Sequence, residues 1–74
     1  MAEKTPPKIK LKAARTNADF SAKEVAEIVG KNYQTILSYE KDSTEIPMSL
    51  ARKLAEIYDY PIDFIFLGKT TEYN

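Results

Sequence analysis

Residues 20–40, FSAKEVAEIVGKNYQTILSYE, contain two short amphipathic helical patterns on either side of Gly30. In the first pattern Val25, Ala26 and Val29 share one face, because residues four apart lie above one another on a helix. Gly30 follows directly, where a helix commonly ends with a residue at positive φ that glycine adopts without steric cost. The stretch therefore predicts two helices joined by a tight turn.

Capping residues mark the start of each of these two helices. Ser21 and Glu24 form an S-x-x-E capping box, in which the side chain of each accepts a bond from an otherwise unpaired backbone N–H. Asn32 is a second capping residue, and Ile36 with Tyr39 continues an apolar face at an i, i+3 spacing. Helices separated by about three residues must cross at a steep angle, which predicts a helix-turn-helix that reads DNA.

Prolines, a glycine and polar loops divide the rest of the chain. The Pro6-Pro7 pair resists helix formation, so we expect residues 1–7 to form a flexible basic arm. No strand-like alternation stands out, and Pro61 is well placed to open a short last helix before a polar tail over residues 68–74. The predicted fold is all-α, with one domain over residues 8–67. Its five helices are expected at residues 8–17, 22–29, 33–41, 48–58 and 62–67.

Composition excludes most enzyme classes. The 74 residues contain neither cysteine nor histidine, which removes the commonest nucleophile, general base and zinc ligands. We therefore expect no catalytic residue, no metal site, no cofactor and no small-molecule substrate. No apolar run approaches the roughly 20 residues that span a bilayer, and residues 1–5 lack the apolar core of a signal peptide. We expect a cytoplasmic protein that makes no membrane contact.

The formal net charge is zero, but the charges are unevenly distributed. Residues 1–15 carry five cations and one acid, whereas residues 42–74 carry three cations and six acids. Such an asymmetric field can orient a protein on a phosphate backbone, while for any single lysine ordinary solvated charge is an equal alternative. The charge pattern permits a nucleic-acid partner without requiring one.

Short motifs along the chain match the spacing of one known domain family. They are Val25-Ala26, Gly30, Pro47, Leu54-Ala55 and Ile62-Asp63. On these motifs residues 8–67 resemble the Cro and lambda-repressor-like helix-turn-helix family, a five-helix domain of phage and bacterial transcriptional repressors. The resemblance implies that Arg15 in the first helix and Glu40 at the end of the third form a structural ion pair.

The resemblance also implies a set of DNA contacts. The predicted base-contacting residues are Tyr33, Gln34, Leu37 and Ser38. An amide such as Gln34 offers a donor and an acceptor together, which match N6 and N7 of adenine, and Leu37 suits a thymine methyl group. The predicted phosphate-contacting residues are Ser21, Lys23, Thr35, Lys41, Ser43 and Thr44.

Three positions depart from the family pattern. Ala22 stands where the family has a bridging, phosphate-binding glutamine, and Lys31 replaces an apolar turn residue. Asp42 replaces the glycine that follows the recognition helix; aspartate tolerates the left-handed conformation better than most residues, but its charge lies where a phosphate should approach.

Two functions remain open on the sequence alone. The first is a Cro-like repressor that binds double-stranded DNA as a homodimer, with recognition helices about 34 Å apart. The residues expected at that dimer interface are Tyr60, Ile62, Phe64 and Phe66. The second is a protein-interaction module on the same scaffold, such as an antitoxin or a phage regulator, which the neutral net charge and Asp42 favour.

Overall fold

A computed structural model describes residues 6–69 of the chain. Within these residues it contains four α-helices, one 3-10 turn and a two-stranded sheet. The elements are β1 (Ile9–Lys10), α1 (Leu11–Asn17), α2 (Ala22–Val29), α3 (Tyr33–Lys41), α4 (Met48–Tyr58), the 3-10 turn (Ile62–Phe64) and β2 (Ile65–Phe66). The predicted arm and polar tail lie mainly outside this range, which includes only residues 6–7 of the first and 68–69 of the second.

The helix-turn-helix forms as its capping residues predict. The Ser21 hydroxyl accepts from the Glu24 N–H at 3.1 Å, and the Glu24 carboxylate accepts from the Ser21 N–H at 2.8 Å. Gly30 ends α2 in the left-handed conformation with φ 71°. The predicted bounds of α2, α3 and α4 are all confirmed. Local capping therefore sets where the two helices of the motif start and where the first one stops.

One hydrophobic core holds the four helices together. Its side chains come from every helix and from β2, and Val25, Ile36 and Leu54 are the largest that are fully buried. Burying an aliphatic side chain of this size contributes about 1.5 to 3 kcal/mol each. The core residues are Leu11, Ala14, Val25, Ala26, Ile36, Leu50, Leu54, Ala55, Tyr58 and Ile65. Because Ile36 anchors one side of α3 in this core, the opposite side of α3 faces solvent.

The predicted fifth helix over residues 62–67 is wrong, and the otherwise all-α fold contains one short two-stranded sheet that the sequence pattern does not indicate. Only Ile62–Phe64 are helical, as a 3-10 turn, and Ile65–Phe66 then pair in parallel with Ile9–Lys10. Isoleucine and phenylalanine fit a pleated, half-buried surface better than a helix, and this segment consists largely of them. The conformation of residues 65–66 is therefore decided by their pairing with β1, which the local sequence pattern does not reveal.

The same pairing shortens the first helix, which begins at Leu11 instead of residue 8. Lys10 has an extended backbone with ψ 160°, which continues the extended conformation that the Pro6-Pro7 pair favours. The Tyr60 hydroxyl donates a hydrogen bond to the Pro7 carbonyl oxygen. Both ends of the described chain are thus held against one another.

The segment after β2 contacts the loop that follows α3. The Ser43 N–H donates to the Gly68 carbonyl at 2.9 Å, and Asp42 forms an isolated antiparallel bridge with Lys69. Residues 68–69, which the sequence places in a polar tail, thereby support the C-terminal end of α3.

Alkaline pH is expected to destabilise the fold through Tyr58. Burial raises the pKa of this phenol from 10.0 to about 12, and the charge of Glu40 adds to the shift. The unfolded chain therefore releases this proton near pH 10 while the folded chain retains it, so stability is lost as the pH rises from about 10 to 12. Tyr58→Phe should lose less free energy of unfolding than the wild type over this interval in urea titrations. Equal losses in the two proteins would contradict the assignment.

Candidate nucleic-acid interface

The exposed side of α3 forms one continuous face. At about 100° per residue, its exposed side chains span an arc of about 140° around the helix axis. They belong to Tyr33, Gln34, Leu37, Ser38 and Lys41. Tyr33 and Leu37 are each 38% exposed although both are large and apolar over most of their surface. The face therefore combines two apolar side chains with an amide, a hydroxyl and an ammonium group.

The N-terminal turn of α3 is fixed by its cap. The Asn32 side-chain oxygen accepts from the Gln34 backbone N–H at 2.7 Å. Within residues 6–69, no protein group forms a hydrogen bond with the Gln34 side-chain amide. The structure thus presents an unengaged amide on a firmly held helical turn.

A cation–π contact joins the two helices of the motif. The ammonium nitrogen of Lys23, in the first turn of α2, lies 5.3 Å from the centre of the Tyr33 ring. This distance lies within the roughly 6 Å over which a cation is attracted to an aromatic face. Both residues are predicted DNA contacts, but their contact with each other is not predictable from the sequence pattern, because residues ten apart meet only through the turn between the helices.

Arg15 and Glu40 form a two-pronged ion pair between α1 and α3. Arg15 Nε donates to Glu40 Oε2 at 2.6 Å, and Arg15 Nη2 donates to Glu40 Oε1 at 3.1 Å. The third guanidinium nitrogen, Nη1, donates to the Phe20 carbonyl at 3.0 Å. The hydrogen bonds that Arg15 donates to the Glu40 carboxylate raise the pKa of Arg15, which therefore stays charged. Because both side chains are almost fully covered, the pair fixes how α3 sits on α1.

Two of the six predicted phosphate contacts, Ser43 and Thr44, already donate their hydroxyl hydrogen bonds to groups of the protein. Ser43 is 4% exposed and donates its hydroxyl to the Tyr39 carbonyl, in a bond that caps the end of α3. The Thr44 hydroxyl and N–H both donate to Asp42 Oδ1. The turn itself uses the donors of Ser43 and Thr44, so either hydroxyl would have to give up its present bond to donate to a phosphate. Ser21, Lys23 and Lys41 are exposed, and Thr35 is half-buried.

Asp42 has an extended backbone, with φ −150° and ψ 105°, instead of the left-handed conformation of the glycine it replaces. The hydrogen bonds from the Thr44 hydroxyl and N–H lower the pKa of its carboxyl group, and the charge of Lys69 acts in the same direction. Asp42 is therefore anionic at neutral pH. Its carboxylate accepts hydrogen bonds from Thr44 in the same turn.

The four residues expected at a dimer interface lie together near the end of the described chain. Tyr60, Ile62, Phe64 and Phe66 are all half-buried, so each keeps part of its surface accessible. An open groove beside them is lined by residues of α4, of the segment that follows it and of the 3-10 turn, including Arg52, Glu56, Tyr60 and Ile62.

Four packed helices, a capped motif and an exposed face on its second helix define a helix-turn-helix protein. The family model described as "Helix-turn-helix", of the Cro/C1 type, matches residues 11–65, which are 55 of the 74 residues. The chain belongs to this family, whose members are DNA-binding transcription regulators. No curated protein matches the chain. In the range 6–69, no helix is both long and apolar enough to cross a membrane.

Proposed function

We propose that this protein is a Cro-like repressor, of phage or prophage type, that binds a specific double-stranded DNA sequence as a homodimer. The exposed face of α3 carries this proposal. Ile36 and the Arg15–Glu40 pair fix the other side of the helix, so the exposed face is presented in one orientation. A rigid helix with free polar and apolar side chains suits entry into the major groove.

Base reading is assigned to the first turns of α3. Gln34 has both an unengaged donor and an unengaged acceptor, which match N6 and N7 of adenine in a bidentate pair. Leu37 offers an apolar contact for a thymine methyl group, while Tyr33 and Ser38 offer hydroxyls. The operator should therefore contain A·T pairs opposite the first half of α3.

Phosphate contacts are assigned to the margins of this face. Ser21 and Lys23 lie at the start of α2, and Thr35 and Lys41 lie on α3. The Ser21 N–H already donates to Glu24, so the donors that remain for phosphate include the Ser21 hydroxyl and the ammonium groups of Lys23 and Lys41. Such contacts orient the domain on the duplex without conveying sequence.

A homodimer through Tyr60, Ile62, Phe64 and Phe66 would give the domain a second recognition helix. The half-buried state of these side chains and the groove beside Tyr60 and Ile62 support this assembly. Two-fold symmetry then predicts a pseudo-palindromic operator with half-sites about 34 Å apart.

A protein-interaction module is the second candidate, and Asp42 is the observation that favours it. This carboxylate is anionic and follows the recognition helix, where a phosphate backbone would be repelled. As an antitoxin or a phage regulator, the chain would instead attract a protein partner with a basic surface at this position.

Selection of binding sites from random duplexes tests the proposed function. The full chain should enrich one inverted repeat with A·T pairs in each half-site. Enrichment of a single half-site would retain DNA reading and exclude the dimer. Recovery of unenriched sequence at every salt concentration would contradict DNA reading and favour the protein-interaction module.

Removing the charge of Lys41 should weaken binding to all duplexes alike. Each phosphate contact steepens the dependence of log affinity on log salt by about 0.9, so Lys41→Ala should reduce the slope by about that amount. Fluorescence anisotropy between about 50 and 200 mM salt measures the slope. Lys53→Ala on α4, outside the proposed contact set, is the matched control and should leave it unchanged. A changed base preference in Lys41→Ala would contradict its assignment to phosphate.

A further inference from the structure

Lys23 and Tyr33, which are assigned above to separate DNA contacts, also contact each other. Lys23 lies in the first turn of α2, Tyr33 is the first residue of α3, and the ammonium lies 5.3 Å from the ring centre. Between them are the turn around Gly30 and the cap at Asn32. The contact therefore joins α2, to which the proposed function assigns DNA phosphate contacts, and α3, to which it assigns base contacts.

The two ends of the Tyr33 side chain have different surroundings. The ring lies under the Lys23 ammonium, whereas within residues 6–69 the phenolic hydroxyl has no hydrogen-bond partner. Tyr33 is 38% exposed, so part of its side chain remains accessible for contact with a base pair. A cation above the ring favours one orientation of the side chain, because the attraction is strongest over the aromatic face.

We propose that Lys23 is a positioning residue that orients the Tyr33 ring for contact with one base pair, in addition to meeting the phosphate backbone. This inference rests on the proposed function, since it concerns how the same face reads DNA. Ala22, the preceding residue, has no polar group with which to reach α3, so Lys23 supplies the link between the first turns of the two helices. A ring already held in one orientation loses less rotational freedom when it contacts a base pair that fits that orientation, and it gains no such advantage with a base pair that requires another orientation.

Positioning and simple phosphate binding predict different results for the same substitution. A residue that only neutralises phosphate conveys no sequence, so its loss weakens every duplex equally and lowers the salt slope. A residue that orients Tyr33 also changes the base preference at the pair that Tyr33 contacts. An exposed cation–π contact corresponds to about a twofold to fivefold change in an equilibrium constant.

The test compares Lys23→Met, Tyr33→Leu, the double variant and Lys23→Arg, each in the full chain. Duplexes carrying all four base pairs at each position of the selected site give the base preference. We expect Lys23→Met to relax preference about twofold to fivefold at the position that Tyr33→Leu also relaxes. The double variant should relax it no further than Tyr33→Leu alone. Lys23→Arg should retain the preference, because a guanidinium also stacks on an aromatic ring.

The contact can also be measured without DNA. In NMR spectra the Lys23 methylene protons next to the ammonium should be shifted upfield by the Tyr33 ring current and should lose this shift in Tyr33→Leu. Thermal melts establish that each variant is folded. A wild-type chain that binds no duplex would contradict the proposed function and this inference with it. Specific binding by the wild type, with a uniform loss across all base pairs in Lys23→Met, would overturn the inference alone.

Discussion

Glu40→Met is expected to destabilise the domain by about 3 to 5 kcal/mol, the cost of leaving one partner of a covered ion pair without its counter-charge. The Glu40 carboxylate accepts two hydrogen bonds from Arg15, at 2.6 and 3.1 Å, and both side chains are almost fully covered. A domain of this size has only about 3 to 5 kcal/mol of stability from its core. The free energy of unfolding of Glu40→Met should therefore be close to zero, so that a large fraction of the molecules is unfolded at 25 °C, as measured by far-ultraviolet circular dichroism.

A double variant separates the buried charge from the loss of the carboxylate itself. Replacing both Arg15 and Glu40 by methionine keeps the side-chain volume and removes both charges, which is often close to neutral for stability. The Phe20 carbonyl also loses its donor in the double variant, which costs about 1 kcal/mol. We expect the double variant to be more stable than Glu40→Met. If the two were equally unstable, the uncompensated charge would not be the cause.

Gln34→Ala is expected to relax base preference at a single position of each half-site. A bidentate amide–adenine pair contributes about 1 to 3 kcal/mol of discrimination, which corresponds to a factor of about 5 to 150 between the right and the wrong base pair. Because the Gln34 side chain has no hydrogen-bond partner within residues 6–69, its removal should leave the fold unchanged. Competition binding with duplexes that differ at one base pair measures the effect.

Asn17→Ala provides the matched control, since it removes an exposed amide from the end of α1. Its base preference should match that of the wild type at every position. The same result for Gln34→Ala would contradict the assignment of Gln34 to base reading. A uniform loss of affinity in Gln34→Ala would instead assign the side chain to the DNA backbone.

Local signals predict the helix-turn-helix and the helix after it. Ser21 and Glu24 satisfy the first N–H groups of α2, and Gly30 ends that helix, so its bounds follow from residues in contact along the chain. Residues 62–67 behave differently because their local pattern fits either a helix or a strand. Pairing of Ile9 with Ile65 decides between the two, and no residue near Ile65 in sequence carries that information.

The sequence likewise predicts only those parts of the candidate site that depend on the periodicity of a single helix. Burial of Ile36 fixes which side of α3 is exposed, and hence the position of Gln34 on the exposed face. The engagement of the Ser43 and Thr44 hydroxyls depends on the turn geometry after α3. Ser43 also donates its N–H to Gly68, a contact between distant parts of the chain. Sequence periodicity contains no signal for such contacts.

The parallel pairing of β1 with β2 has a consequence for biosynthesis. Ile9 and Ile65 are 56 positions apart, so their backbone groups can meet only after almost all of the domain has been translated. Closing so long a loop is entropically unfavourable until the helices between the strands have packed and shortened it. Ribosome-bound chains that stop before residue 65 would leave the backbone groups of residues 9–10 without their strand partner. The sheet thus closes the fold only when translation has passed its last strand.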